Sequence, residues 1–214
     1  MSSNMSLKEA ERKAFRSTFQ DGLWDVYLGF VFLLFGIGPL IQVSADNDWI
    51  LSLGYFVPLV LLFVAAKKYI TTPRIGRAKF SQARKRKVKK VRLLLLFSVV
   101  LGTIIYLMGA TGDGFAGSFA KLPIVLLVFT VNVLLIFWLG AYFLDFSRLY
   151  VYGALLGLSF PAGFFLMERG IVADETRPFI LTSSIMIVVG IVLFVRFLRE
   201  NPPIDENSLS EGGA

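Results

Sequence analysis

The chain has 214 residues, 56% of them hydrophobic and 17% charged, with a net charge of +7 and a mean hydropathy of +0.70. Soluble domains carry about 25% charged residues, so a soluble globular protein is excluded and one compact membrane domain is expected. Cysteine and histidine are both absent, which rules out disulfides, thiol nucleophiles, His/Cys zinc sites, haem-ligating histidine and any Ser–His–Asp triad. No cofactor, metal site or catalytic residue is expected.

Residues 1–22 are polar but patterned. Ser6-Leu7-Lys8-Glu9 fits a capping box, in which Ser6 and Glu9 satisfy each other's backbone donors. Leu7, Ala10, Ala14 and Phe15 then recur at helical spacing, predicting an amphipathic helix on the cytoplasmic membrane surface. The first apolar run starts at Leu23 and is span-length, so no cleavable leader is expected.

Six apolar runs follow, at residues 23–43, 49–66, 93–110, 122–143, 149–167 and 179–198. About 20 helical residues cross a ~30 Å hydrocarbon core. These runs are too long and too evenly apolar for the alternating strands of a membrane barrel. The predicted fold class is all-α, an integral membrane helical bundle with six transmembrane helices over residues 23–198. The first outer turn, residues 44–48, has no Lys or Arg, whereas residues 67–92 hold 12 Lys/Arg and no acid. Thr111-Gly112-Asp113-Gly114 opens a glycine-rich outer loop, and residues 199–214 read as a disordered cytoplasmic tail.

The cations settle the expected orientation. Of 22 Lys and Arg, 19 fall in alternate gaps, and only Lys121, Arg169 and Arg177 fall in the others. The positive-inside rule then predicts both termini in the cytoplasm, with the chain as a multi-pass protein of the cell membrane.

Three clusters draw attention. In the basic loop, Arg74, Arg77 and Lys79, with Arg148 on the short inner turn, are candidates for binding anionic lipid or another phosphate ligand, each cation adding ~1 kcal/mol near an anionic surface. Nucleic acid is not an expected partner, because only Tyr69 and Phe80 offer stacking faces nearby. Asp25, with Tyr27, and Asp145 sit at the predicted cytoplasmic boundary, where a carboxylate needs a partner or water. Ion pairs of Asp25 or Asp145 with Arg148 or Arg74 are expected, pinning helix ends together or lining a polar pocket. Deeper in, Asn132 is expected to hydrogen-bond between helices, and Gly153 and Gly157 form a small-xxx-small pair for close helix packing. No Asp, Glu, Lys or Arg lies near the centre of any span, which argues against an ion-coupled pump.

Gly22-Leu23-Trp24-Asp25 opens the first span, Pro73-Arg74-Ile75-Gly76-Arg77-Ala78-Lys79-Phe80 follows the second, and Arg148-Leu149-Tyr150-Val151-Tyr152-Gly153 opens the fifth. In this order the three motifs resemble an uncharacterised group of small multi-pass bacterial membrane proteins. The resemblance covers roughly residues 20–200 and implies fold and topology only. Nucleophile-elbow, phosphate-loop and membrane-protease motifs are missing. The expectation is a non-enzymatic membrane protein whose basic cytoplasmic face binds anionic lipid or an acidic protein partner, as an accessory subunit. The alternatives are a small uncoupled transporter or channel working as a homo-oligomer, and a lipid-modifying enzyme using Asp25 or Asp145.

Overall fold

A computed structural model describes residues 19–41, 48–75, 82–110 and 124–202. The surface helix expected before residue 19, most of the first outer turn, the glycine-rich loop and the tail beyond Pro202 lie outside the described residues. The described residues are mostly helical, joined by short turns, with no strand among them. We number the long helices α1 (Leu23–Ile37), α2 (Asp48–Ala66), α3 (Gln82–Ala110), α4 (Ile124–Leu144), α5 (Arg148–Glu168) and α6 (Arg177–Glu200). Among the described residues, four stretches are long and apolar enough to cross a membrane: Gly54–Arg74, Leu126–Leu144, Arg148–Glu168 and Arg177–Glu200. The apolar α1 is shorter, at 15 residues, and is continued by a 3₁₀ turn over Gly38–Leu40. The 29-residue α3 joins a basic first third to an uncharged stretch from Leu93 to Ala110.

Helix extends well into the predicted basic loop from both ends. Gln82 to Arg92 contains no Gly or Pro and is rich in Lys and Arg, both good helix formers, so α3 begins 11 residues before its apolar part. On the other side, α2 does not stop at Ala66. It runs on through a π-helical segment, Lys67–Thr71, into a short turn, Thr72–Ile75. The widened turn closes with the Thr72 N–H on the Lys67 carbonyl, and the Thr72 hydroxyl donates to the same oxygen at 2.7 Å. It falls where Pro73 lacks the N–H that the Tyr69 carbonyl would otherwise accept, a position at which an α-helix must deform.

The chain divides into two compact units, one of Met1–Leu34, Leu40–Lys79 and Ser184–Ala214, the other of Phe35–Pro39 and Phe80–Ser183. In the first unit, the start of α1 crosses α6 at two glycines. Gly22 has φ +79°, a left-handed conformation that glycine adopts without a Cβ penalty. A Cβ on Gly190 would sit 2.6 Å from the Val26 amide nitrogen, so only a residue without a side chain lets the helices approach this closely. The Tyr55 hydroxyl donates to the Phe30 carbonyl at 2.9 Å, tying α2 to α1. Phe63 stacks near Trp24 and Tyr27, with ring centroids 4.7 and 4.6 Å away.

In the second unit, α4 and α5 form an antiparallel pair. Val133, Phe137 and Ala141 form one buried stripe of α4 at helical spacing, and Leu149, Tyr152 and Leu156 line α5. Phe137 packs where Gly153 has no side chain, and Gly157 lies against Leu134. At both glycines α4 packs closely on α5. Asn132 donates to the Ser98 hydroxyl of α3 at 3.0 Å. The Thr130 hydroxyl donates to the Gly157 carbonyl at 2.8 Å. That carbonyl is the one left without an intrahelical donor by Pro161, four residues on. Further along, Ser159 and Thr182 share a hydrogen bond of 2.8 Å, and Phe160 stacks on Phe179 at 4.7 Å.

This replacement of a missing amide by a hydroxyl makes a prediction. Thr130→Val should destabilise the protein by ~1 kcal/mol. In a Pro161→Ala background, where an N–H is available again, the same change should cost clearly less. Thermal unfolding of the four proteins in detergent measures the coupling; additive losses would show that the two sites are independent.

Candidate functional site

Two groups of charged residues lie near helix ends, one in each unit. In the first unit, Asp21 and Asp25 are both fully buried. Asp21 lies two residues before the start of α1, and Asp25 is in its first turn, where the helix dipole favours a negative charge. Asp21 is well supplied with donors. The Leu23 N–H donates to its Oδ1 at 3.3 Å, while the Lys67 ammonium and the Thr71 hydroxyl donate to its Oδ2 at 2.6 and 2.9 Å. Lys67 and Thr71 come from the π-helical extension of α2, one turn apart, so the extension is what brings both to Asp21. Lys67 also feels the charge of Asp25. The Trp24 indole N–H beside these carboxylates in the chain is buried and has no acceptor among the described residues. A little further along α2, the Arg74 guanidinium donates to the carbonyls of Leu198 and Asn201, at 3.2 and 2.6 Å. It caps the C-terminus of α6, an end that attracts cations.

The second group is the basic first third of α3. Its cations sort by helical phase. Arg84 pairs with Asp145 at 2.5 Å, the Lys87 ammonium lies 5.9 Å from the Tyr142 ring centre, and Lys90 lies 5.6 Å from that of Phe143. These residues face the C-terminus of α4, where positive charge is favoured. Asp145 has φ +53°, and the Phe146 N–H reaches back to the Ala141 carbonyl at 3.0 Å. The helix therefore ends in a Schellman-type turn, with Asp145 at the left-handed position that Asp tolerates better than most residues. On the other side of α3, Lys85, Arg86, Lys89 and Arg92 are exposed. Among the described residues no ion pair engages them.

The candidates read from the sequence are thus dispersed. Asp25 is buried at the start of α1, and Tyr27 is in an aromatic cluster with Trp24 and Phe63. Asp145 pairs with Arg84, and the Arg148 guanidinium lies 4.9 Å from the Phe146 ring centre. Arg77 and Lys79 lie outside the described residues. Asp21, Lys67, Thr71 and Arg84 were not singled out by sequence, although Asp21 lies only four residues before Asp25. Among the described residues no group of three His, Cys, Asp or Glu side chains is placed to hold a metal.

Removing one partner of a buried ion pair costs ~3–5 kcal/mol, because it strands the other charge. Lys67→Met should therefore lower stability by about 3 kcal/mol, and the double change Asp21→Asn/Lys67→Met should lose less than the two singles together. Equal loss in the double change and the sum of the singles, measured by thermal unfolding, would show that the pair does not act as a unit. At the α4 terminus, Asp145→Asn should be milder than Asp145→Val. Asn loses the ion pair but tolerates the left-handed backbone, whereas Val loses both.

No protein-family model matches the chain, and neither a curated protein nor a solved structure shows significant similarity to it.

Proposed function

We propose that the chain is a non-enzymatic protein of the cell membrane, with six crossings, both termini in the cytoplasm and a basic inner face that holds anionic lipid or an acidic partner. It would act as an accessory subunit rather than as a catalyst. The observation that carries this reading is the division of α3 into two cationic faces. One face is engaged by the end of α4, while Lys85, Arg86, Lys89 and Arg92 remain exposed. Four long apolar helices support residence in a membrane. In the proposed topology, α1 and the uncharged part of α3 supply the other two crossings, and the 19-to-3 division of cations sets the orientation. Arg77 and Lys79 belong to the same basic segment by sequence and would add to its attraction for anions. Arg74 is engaged with α6 and Arg148 lies over Phe146, so neither leads this reading.

Native mass spectrometry of the protein extracted in mild detergent tests the proposal. Anionic phospholipid or an acidic protein should copurify with it. The amount should fall when Lys85, Arg86, Lys89 and Arg92 are all changed to Gln. Equal retention by the variant would remove α3 as the binding face. Reporter fusions at each terminus check the orientation, with cytoplasmic activity expected from both.

A further inference from the structure

Proximity between α3 and α4 gives the depth of the basic segment. The two helices run antiparallel, with Arg84 level with Asp145, Lys87 with Tyr142, and Ser98 with Asn132. The cations therefore do not stand clear of the apolar helices. They lie alongside the last two turns of α4, which carry exposed Trp138 and Tyr142. Trp and Tyr concentrate at membrane–water interfaces. The Trp138 indole donates to the Tyr150 carbonyl at 3.1 Å, so its polar edge is already directed to the start of α5. From Arg84 to Arg92 the helix rises ~12 Å, enough to cover the 5–7 Å of a headgroup layer, roughly, and to reach below it.

The face itself has a second property. Lys85, Lys89 and Arg92 share a helical stripe with Leu93, Leu96 and Val100, at steps of i, i+4, i+7, i+8, i+11 and i+15. These three apolar residues are 66%, 59% and 49% exposed. A run of cations at headgroup depth above an uncovered apolar track matches a molecule with an anionic head and a long aliphatic chain. A soluble acidic protein has no use for the lower half of such a stripe.

We infer that this face of α3 is a binding site for one anionic phospholipid, its phosphodiester held by Lys89 between Lys85 and Arg92, with Arg86 alongside, and its acyl chain lying on Leu93, Leu96 and Val100. The inference rests on the proposed basic-face reading and narrows it to a lipid. Lys and Arg side chains extend along the helix to place their charge at the phosphate level, so the cations at different heights converge on one layer. Arg92, the deepest, draws the headgroup inward.

The full chain, reconstituted in phosphatidylcholine nanodiscs, tests this with spin-labelled phosphatidylglycerol and spin-labelled phosphatidylcholine. The immobilised fraction should favour phosphatidylglycerol. Lys85→Gln/Lys89→Gln should reduce that preference by about fivefold for each charge removed, and Lys85→Arg/Lys89→Arg should keep it. Lys68→Gln/Arg199→Gln, which removes two exposed charges elsewhere, should leave it intact. An equal loss in both Gln pairs overturns the site and leaves the basic-face proposal standing. No preference in the unaltered protein overturns the site together with the lipid half of that proposal. Depth is read separately. The chain has no cysteine, so a probe on Lys89→Cys reports one position. Quenching at phosphate depth is expected. A probe in bulk water overturns the lipid site alone and assigns the basic face to a cytosolic partner.

Discussion

Pro161 removes the amide hydrogen that the Gly157 carbonyl would accept, and in hydrocarbon no water can take its place. The Thr130 hydroxyl does so instead, from the neighbouring helix. Much of the rest of the molecule answers the same demand, that each polar group withdrawn from water must find a partner in the protein. The π-helical turn before Pro73 closes on the Lys67 carbonyl. The end of α4 closes through Asp145 in a left-handed conformation. Arg74 covers the last carbonyls of α6. In each case a helix is interrupted, and a side chain or an altered turn restores the bond.

Charges follow the same logic at the helix ends. Asp21 has three donors, supplied by its own turn and by the extension of α2. Asp145 has Arg84, and the aromatic residues of α4 take Lys87 and Lys90. Helical phase then leaves a second set of cations on α3 that no carboxylate of the described residues engages. A single basic run therefore has two faces. One is engaged by the end of α4, and the other is exposed.

Legibility in the sequence varied with the physics behind each feature. The all-helical fold was readable, because long uncharged runs have few alternatives. Asn132, Gly153 and Gly157 stand out in such runs because a polar or small residue there has a narrow set of uses. Partner choice was not. Arg84 looks no different from its neighbours in a run of cations, and only the phase of α3 against α4 selects it for Asp145. Asp25 stood out in its motif, yet Asp21 is the carboxylate bound by Lys67. The distinction depends on α2 continuing as a helix past Ala66, for which the sequence offers no signal beyond the absence of a breaker before Pro73. Residues 82–92 hold good helix formers and no breaker, yet their charge density suggested a loop.

The continuity of α3 also bears on how the protein holds its place in an energised membrane. Seven cations between Arg84 and Arg92 are joined to a hydrophobic stretch without any flexible link. In the proposed orientation, a shift of the helix toward the outer side of a membrane that is negative inside would drag them against the potential. Each charge moved across 100 mV costs about 2.3 kcal/mol, so transfer of all seven would oppose the field by about 16 kcal/mol. Such a potential would act as a clamp on α3, one that weakens when the potential collapses.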